Sequence, residues 1–505
     1  MPGPDAETRS LEGRADRRLS LWLGVCAVLF FLPLARGHFS GSDELGVFAT
    51  TEALYRHGTL ATGGAGLAHD YPGRDGRRYS VFAPGQSVLA LPFYGAGAAL
   101  KTVVPADVVA RAIGRDPAGL VDTVERPEIF FVSLYPAFAA GLLVALFFLL
   151  ERRLGASTRS ALGATLLLAA TTSVTSQSTF FLRHTTEALL MLGALFAFVG
   201  YRQGATTRSL AWGVLLASSI LLVRVPASVV GVALVGYVVF AVHARARDAG
   251  RPVPWAGAAM AILIPATLVA AVHVGVNQAK WGAWLASPML DQSSGFTTPA
   301  LVGVRGLLFW PGSSLFVYSP LLLLLPWTLP PFLRVHRAEG ATLLAMSASI
   351  LLLVSQFELW HGLPSAPGSR MVAALAPLLM LPLGPWLDRP RAHGMTLAVG
   401  VLALVGAAVQ LGLSLARWAK VAIEMGYVGW EPAFGYLAEP ASSPAIGGLR
   451  TVLGGGVDAW LFSLFNGLPG REPNPALGAV VIICWAGLVA LAVARLMRLL
   501  RSASD

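Results

Sequence analysis

Charged residues are scarce in this sequence. Only 13% of its 505 residues are Asp, Glu, Lys or Arg, whereas 55% are hydrophobic, and the mean hydropathy is +0.65. Because soluble domains usually carry about 25% charged residues, this composition excludes a soluble globular protein. The sequence also has no internal repeat, coiled-coil heptad, P-loop or dinucleotide-binding fingerprint. Nothing therefore indicates a nucleotide-driven enzyme.

Cysteine is nearly absent as well. The two cysteines, Cys26 and Cys484, each lie within an apolar segment, which indicates neither a disulfide framework nor a thiolate metal site. The net charge is +10, but the arginines flank the apolar segments and form no single basic face. This distribution argues against a nucleic-acid partner and favours contact with the phosphates of membrane lipids.

The apolar segments predict an all-α polytopic membrane protein with about 12 transmembrane helices. The predicted spans are residues 19–34, 129–150, 161–178, 187–199, 210–222, 226–242, 255–274, 315–333, 341–354, 371–387, 395–415 and 477–496. Arginines cluster beside alternate ends of these spans, and the positive-inside rule assigns those ends to the cytoplasm. We therefore expect a multi-pass protein of a bacterial-type inner membrane, with both termini cytoplasmic and the long connections outside.

The chain divides into three predicted parts. Residues 1–416 form a transmembrane domain whose first outer loop, residues 36–126, carries two interfacial helices. Residues 417–474 form an outer cap, and residues 475–505 form the last span and a cytoplasmic tail. The aromatic residues of the cap are Trp418, Tyr427, Trp430, Tyr436 and Trp460. They suit either a membrane-interface belt or a platform for a sugar.

A polar stretch, residues 38–44, follows the first span directly. It places Asp43 and Glu44 just outside the membrane, where acids can act on a membrane-bound substrate. The next residues, 45–57, predict a helix with Ser42 as its N-cap. Acids suit the first turn of a helix whether or not they react, so both interpretations stay open.

More ionisable residues fall on the same predicted face. Arg183, His184 and Glu187 lie in or beside a very short outer turn, and Arg224 interrupts an apolar run. Charged groups at such depth usually face a polar interior. Arg224 could equally lie in a loop and extend its side chain to the interface.

The outer loop at residues 358–370 adds an acid, an indole, an imidazole and a guanidinium, namely Glu358, Trp360, His361 and Arg370. An arginine at the end of a span can hold a phosphate with two hydrogen bonds. A carboxylate that deprotonates an acceptor hydroxyl, together with cations that stabilise a leaving phosphate, suits group transfer from a lipid phosphate. Nucleotide-sugars do not reach this face, so we expect a lipid-linked donor.

Several motifs in order carry a family resemblance. They are the Asp43-Glu44 pair, residues 53–60, residues 79–94, Arg183-His184-Thr185-Thr186-Glu187, residues 306–320, and Trp360-His361-Gly362 with Gly368-Ser369-Arg370-Met371. With these motifs the chain resembles the GT-C type of polyprenyl-phosphate-sugar-dependent glycosyltransferases, which includes protein O-mannosyltransferases and aminoarabinose transferases (glycosyltransferase family 39-like).

The resemblance implies that Asp43 is the catalytic base, with Glu44 as its neighbour or as a cation ligand, and that Arg370 and His361 attend the donor phosphate. It does not decide whether a divalent cation takes part, and we predict no metal ligands. Relatives often carry lysine where Val81 stands here, so Arg77, Arg78 or Lys280 would have to supply that contact. By charge and position, we add Arg183, His184 and Arg224 as phosphate-binding candidates, and Glu187, Tyr318, Glu358 and Trp360 as substrate-pocket candidates.

We therefore expect transfer of a sugar from a polyprenyl-phosphate donor to a lipid, glycan or protein acceptor on the non-cytoplasmic face. A hexose, with mannose as the default, follows from the resemblance only. One alternative is a transporter or flippase, for which residues 224–226 offer a broken helix. Another is a polymerase or ligase of lipid-linked glycans, which would use the same outer pocket.

Overall fold

The computed structural model describes residues 4–63, 69–104, 127–250, 252, 255–285, 288, 295–362, 366, 368–425, 438–466 and 473–502. Helices make up nearly all of the regular structure. The strands of the described residues form one antiparallel hairpin, in which Tyr71 faces Tyr79.

The N-terminal part of the chain supplies one span and an outer layer. Its elements are α1 (Pro4–Phe31), a 3-10 turn (Leu32–Leu34), α2 (Ser42–His57), β1 (Asp70–Pro72), β2 (Arg78–Ser80), α3 (Gly85–Leu89) and α4 (Leu91–Val103). At 13 residues, α4 is shorter than the roughly 20 residues that a crossing needs. This length agrees with the interfacial helices predicted for the first outer loop.

The rest of the bundle follows in chain order. Its first half contains α5 (Pro127–Arg153), α6 (Thr158–Thr171), α7 (Ser173–Gln177), α8 (His184–Arg202), α9 (Thr207–Val223), a 3-10 helix (Val225–Val230), α10 (Gly231–Asp248) and α11 (Trp255–Trp281). Its second half contains α12 (Ala300–Phe309), α13 (Leu315–Tyr318), a 3-10 helix (Pro320–Leu324), α14 (Leu325–Val335), α15 (Arg337–Val354), a 3-10 turn (Arg370–Val372), α16 (Leu375–Met380), α17 (Leu383–Leu387) and α18 (His393–Leu415). The C-terminal part contains α19 (Trp418–Glu424), a 3-10 turn (Pro440–Ser442), α20 (Pro444–Leu453), α21 (Trp460–Asn466) and α22 (Pro475–Ser502).

Eight helical segments of the described chain are long and apolar enough to cross a membrane. They are Gly13–Leu34, Pro127–Arg153, His184–Arg202, Val225–Asp248, Trp255–Trp281, Arg337–Val354, His393–Leu415 and Pro475–Arg501. Each coincides with a predicted span, so the multi-pass architecture is confirmed. The other predicted spans are short or interrupted: for example, Thr172 ends α6 by capping α7. The total of about 12 crossings stays a prediction.

The core of the bundle is built around α5. This helix packs against α1, α4 and α8, and its inward residues, among them Leu143 and Phe147, are fully buried. The α1–α5 crossing depends on Gly141, because a Cβ there would lie 2.3 Å from Val28 Cγ2 and 2.9 Å from the carbonyl oxygen of Gly24. Small residues commonly permit such close approach between membrane helices.

The two ends of the bundle differ in the charged residues that they hold. At the end rich in arginine, Arg152 pairs with Asp16 at 3.0 Å and Arg202 with Glu339 at 3.1 Å. The opposite end holds the first turn of α2, the start of α8 and residues 368–372. Which end faces the cytoplasm stays a prediction from the positive-inside rule.

The described parts of the predicted cap pack onto the bundle. The indole Nε1 of Trp460 donates to the carbonyl oxygen of Leu32 at 2.7 Å, and its ring meets Phe130 edge-on. Trp418 is buried. The remaining cap aromatics of the prediction, Tyr427, Trp430 and Tyr436, lie outside the described residues.

Candidate active site

The first turn of α2 carries both predicted acids, but its cap differs from the prediction. Gly41, in extended conformation, is the N-cap, and Ser42 is the first helical residue. The prediction of Ser42 as N-cap is wrong because Glu44 takes over the capping role from the third helical position. Its Oε2 accepts from the backbone N–H of Ser40 at 2.7 Å and of Gly41 at 3.0 Å.

Asp43 contacts side chains from two distant segments. Its Oδ2 accepts a hydrogen bond from Arg370 Nη1 at 2.8 Å, and its Oδ1 lies 3.2 Å from His69 Nε2. Asp43 and Arg370 are each 8% exposed. The structure therefore brings the predicted acid and the predicted phosphate-binding arginine into direct contact.

These partners keep Asp43 ionised. Burial alone raises the pKa of a carboxyl, but Arg370 and His69 outweigh it and hold the pKa of Asp43 well below its ordinary value. A carboxylate with so low a pKa accepts protons poorly.

Both carboxylate oxygens of Glu44 accept hydrogen bonds from backbone amides. Besides the two amides of the cap, its Oε1 accepts from the N–H of Phe181 at 2.6 Å. Glu44 is 1% exposed, and burial raises its pKa in spite of these hydrogen bonds. Both oxygens accept hydrogen bonds from backbone N–H groups, and this geometry supports a role in fixing the loop before α2.

Arg370 is oriented by a tight turn. Gly362 has φ +75°, and a Cβ at that position would lie 2.7 Å from both Cγ and Nε of Arg370. A residue with a side chain at 362 would therefore be strained and would displace the guanidinium. Arg370 Nε is buried and has no hydrogen-bond partner among the described residues. A donor is thus left for a ligand.

His361 lies beside Arg370 and is 3% exposed. Burial, followed by the charge of Arg370, lowers the pKa of His361 to about 4. The imidazole is therefore neutral near pH 7 and can accept or donate a hydrogen bond without adding charge.

Arg183 supplies a second cation close to Asp43. Its guanidinium stacks over the Phe82 ring at 4.0 Å. Burial lowers the pKa of Arg183 to about 10, and it stays protonated near pH 7. Arg183 forms no ion pair with a carboxylate in the described part of the chain, so its charge is available to an anion.

Of the residues predicted to replace a lysine at position 81, Lys280 contacts the next residue, Phe82. Lys280 comes from the end of α11, is buried, and donates from Nζ to the carbonyl oxygen of Phe82 at 3.0 Å. Arg77 is instead paired with Asp75 at 2.7 Å on the hairpin surface. Arg78 donates to the carbonyl oxygen of Asp70.

Glu187 and Arg224 form a buried pair behind Arg370. Arg224 Nη1 donates to both oxygens of Glu187, at 3.2 and 3.0 Å, and lies 3.3 Å from the carbonyl oxygen of Met371. Arg224 is 4% exposed, so it does not extend its side chain to the interface. His184 Nδ1 lies 3.4 Å from Glu187 Oε2. This group supports the backbone next to Arg370.

The remaining predicted pocket residues are not brought to Asp43. Tyr318 is buried, and its hydroxyl donates to the carbonyl oxygen of Pro311 at 2.8 Å. Trp360 is fully buried against Trp310 and the ring of His361. Glu358 is exposed. Tyr318 and Trp360 thus shape the loops that carry His361 and Arg370.

Sequence reasoning missed His69. This residue precedes β1 and has φ +75°, which is uncommon for a residue with a side chain. Its Nε2 lies 3.2 Å from Asp43 Oδ1 and 3.3 Å from Ser42 Oγ. The signal was weak, because a lone histidine in a long polar loop has no pattern that distinguishes it.

The side chains around Asp43 do not suit a divalent cation. Asp43 has one histidine and two arginines as neighbours, and arginines repel a metal ion. Within the described ranges, no three His, Cys, Asp or Glu side chains form a group that could hold a metal ion. We derive no chemical step from a metal.

Neither known sequence families nor curated proteins match this chain. Solved structures do. ArnT from Cupriavidus metallidurans in the apo state matches 95% of this chain and 74% of its own, with 13% identity and a TM-score of 0.50. ArnT bound to undecaprenyl phosphate matches 88% of this chain and 78% of its own, with 15% identity and a TM-score of 0.49.

The archaeal oligosaccharyltransferase of Archaeoglobus fulgidus gives a weaker match. It covers 85% of this chain and 60% of its own, with 12% identity and a TM-score of 0.43. The likeness to apo ArnT extends over nearly the whole chain. This likeness to ArnT shows that the protein has the all-α, polytopic GT-C fold that its motifs predicted.

Proposed function

We propose that this protein is a membrane glycosyltransferase that moves a sugar from a polyprenyl-phosphate donor to an acceptor hydroxyl at the Asp43 site. By the Asp43 site we mean Asp43, His69, Arg183, His361 and Arg370. The observation that carries the proposal is the buried 2.8 Å contact between Asp43 and Arg370, with a second cation, Arg183, beside it. An acid and two cations in one place suit base catalysis with a phosphate leaving group.

The cations would hold the donor phosphate. Arg370 Nε has no hydrogen-bond partner among the described residues, and a guanidinium can bind a phosphate with two parallel hydrogen bonds. Arg183 lies close enough to affect Asp43 electrostatically. ArnT, which shares this fold, has been crystallised with undecaprenyl phosphate, and this supports a lipid phosphate as the ligand class.

Donor binding would also activate the base. The phosphate competes with Asp43 for Arg370, and once the guanidinium turns to the phosphate the pKa of Asp43 rises toward its ordinary value. The acceptor oxygen then attacks the anomeric carbon while its proton passes to Asp43. The bond from that carbon to the phosphate oxygen breaks, and the polyprenyl phosphate leaves with the electron pair. Donor therefore binds before transfer becomes possible.

The finer assignments rest on the family resemblance and on sequence patterns. They are a hexose, with mannose as the default, a lipid, glycan or protein acceptor, and an active site on the periplasmic face of the inner membrane. We also keep the division into a transmembrane domain (1–416), an outer cap (417–474) and a final span with its tail (475–505). The proposal gives Glu44 a structural role.

Substitution of Arg370 tests the donor side. In Arg370→Ala, we expect the affinity for undecaprenyl phosphate to fall about 10–100-fold, because a charged hydrogen-bonding pair contributes about 1.5–3 kcal/mol. The acceptor requirement should change little. Native mass spectrometry of protein in nanodiscs, titrated with undecaprenyl phosphate, measures the affinity. Release of polyprenyl phosphate from a radiolabelled polyprenyl-phosphate hexose, with membrane extracts as acceptor, measures transfer.

Arg77→Ala is the matched control, because Arg77 is an exposed arginine that is already paired with Asp75. It should bind like the wild type. Equal effects of Arg370→Ala on donor and acceptor would make Arg370 structural. A wild-type protein that binds no undecaprenyl phosphate would overturn the donor class.

A transporter or flippase is the second candidate. The observation in its favour is the 3-10 helix Val225–Val230, which interrupts the chain between α9 and α10 directly after the buried Arg224. In proteoliposomes, a flippase moves the labelled lipid between leaflets and leaves the sugar–phosphate bond intact. Sugar release without such movement would reject it.

A further inference from the structure

A second buried group of charges lies next to the Asp43 site. It consists of Arg36, His38 and Asp458, and we call it the Arg36 cluster. Asp458 accepts from Arg36 Nη1 at 3.0 Å, and its other oxygen lies 2.8 Å from His38 Nε2. The three residues are between 2% and 8% exposed. Sequence reasoning assigned none of them a role.

Arg36 makes further contacts outside the cluster. Arg36 also donates to Ser40 Oγ at 3.3 Å and to the carbonyl oxygen of Leu413 at 3.2 Å, and it stacks over the Phe180 ring at 4.1 Å. Burial would raise the pKa of Asp458, but His38 and Arg36 hold that pKa below its ordinary value. Buried charges are costly unless they are paired in this way, and removal of one partner leaves the other uncompensated.

Asp458 reaches the cluster from the far end of the chain, 420 residues after His38. Its segment is fixed to the bundle, since Val457 pairs with Ala416 and the N–H of Asp458 donates to the carbonyl oxygen of Leu415 at 2.7 Å. Two residues on, the N–H of Trp460 donates to the carbonyl oxygen of Ala35 at 3.0 Å. The outer C-terminal segment thus binds the residues that directly follow the first span.

The residues held in this way directly precede Asp43 in the sequence. Residues 36–40 run into Gly41 and the first turn of α2, where Glu44 holds the N–H groups of Ser40 and Gly41. Arg36 and His38 also lie close enough to act electrostatically on Glu44. The loop is therefore held from one side by Glu44 and from the other by Asp458.

We propose that Asp458 is a positioning residue, which fixes the 36–44 loop through Arg36 and His38 and so sets the position of Asp43. Residues 457–460 of the C-terminal segment then help to complete the active site. The role in transfer rests on the function proposed above, whereas the effect on the loop does not.

The test is the Asp458→Asn variant with three measurements. Hydrogen exchange of the amides of residues 36–44 should become faster, while residues within α8 exchange as in the wild type. The affinity for undecaprenyl phosphate should stay within about twofold. Turnover at saturating donor should fall about 10–100-fold, because small misplacements of a reacting group have effects of that size.

The matched control is Glu424→Gln, which removes an exposed carboxylate paired with Lys420 at 3.7 Å in the same outer segment. It should change none of the three measurements. If Asp458→Asn does not fold, Arg36→Lys serves instead, because lysine keeps the charge but not the simultaneous contacts to Ser40 and Leu413. We expect smaller changes in the same direction.

Unchanged exchange in residues 36–44 would overturn the proposal. A parallel loss of turnover and of donor affinity would also overturn it, since this would indicate a general loss of structure. If the wild type shows no transfer at all, the proposed function fails, but faster exchange in Asp458→Asn would still establish the hold on the loop.

Discussion

The two acids that begin α2 face different regions of the molecule. On one side, Asp43 meets the side chains of Arg370 and His69. On the other, the carboxylate oxygens of Glu44 accept hydrogen bonds from the backbone amides of Ser40, Gly41 and Phe181. Side chains can turn toward a ligand, whereas backbone amides are fixed by the fold. This difference in partners is the reason that the proposed function gives Asp43 the reaction and Glu44 a structural role.

Among the variants that test this difference between Asp43 and Glu44, Asp43→Asn should have the largest effect on the transfer rate. We expect the transfer rate to fall about 10²–10⁴-fold, the range that general base catalysis contributes. Binding of undecaprenyl phosphate should be kept or strengthened, because the amide competes less with a phosphate for Arg370. Native mass spectrometry and the transfer assay measure the two quantities.

Asp75→Asn is the control for that variant, since it removes an exposed carboxylate on the hairpin and should leave both quantities unchanged. Transfer at the wild-type rate in Asp43→Asn would mean that another residue is the base and that Asp43, like Glu44, has no part in the reaction.

Glu44→Gln should instead act on stability. The amide keeps a single acceptor oxygen and adds an NH₂ group that faces backbone donors, so at least one buried N–H loses its partner. We expect a loss of about 1–3 kcal/mol in the free energy of unfolding. Chemical denaturation in detergent measures it, with the exposed Glu358→Gln as control.

Activity per folded molecule should change far less in Glu44→Gln than in Asp43→Asn. A rate loss as large as that of Asp43→Asn, in a protein of unchanged stability, would show that Glu44 takes part in the reaction.

The smallest effect should be the contribution of His361, a residue of the Asp43 site, to the pH dependence of stability. Its pKa is lowered from 6.5 to about 4 in the folded protein, so the unfolded chain binds more protons between these values. Stability must therefore rise with pH across this window and be lost as the pH falls from about 6.5 toward 4. Thermal unfolding midpoints in detergent, measured across that range, should show this fall in the wild type.

In His361→Gln the fall over the same window should be shallower, whereas the exposed His243→Gln should keep the wild-type slope. Identical slopes in wild type and His361→Gln would mean that His361 does not contribute to the pH dependence of unfolding.

The sequence by itself determined the all-α fold and its multi-span architecture. These properties depend on the composition of contiguous segments and on the charges that flank them, which are local. The sequence also predicted that Asp43 and Arg370 share one face, because Asp43 follows the outer end of the first predicted span and Arg370 precedes the outer end of the span 371–387.

Only the tertiary structure decided which groups meet on that face. Glu44 binds the amide of Phe181, His69 reaches Asp43 from the hairpin loop, and Asp458 holds Arg36 from the far end of the chain. Tyr318 and Trp360 are buried and pack within the loops that carry His361 and Arg370, and Glu358 is exposed. Such pairings depend on how distant segments pack, and a local pattern of residues carries no record of that packing.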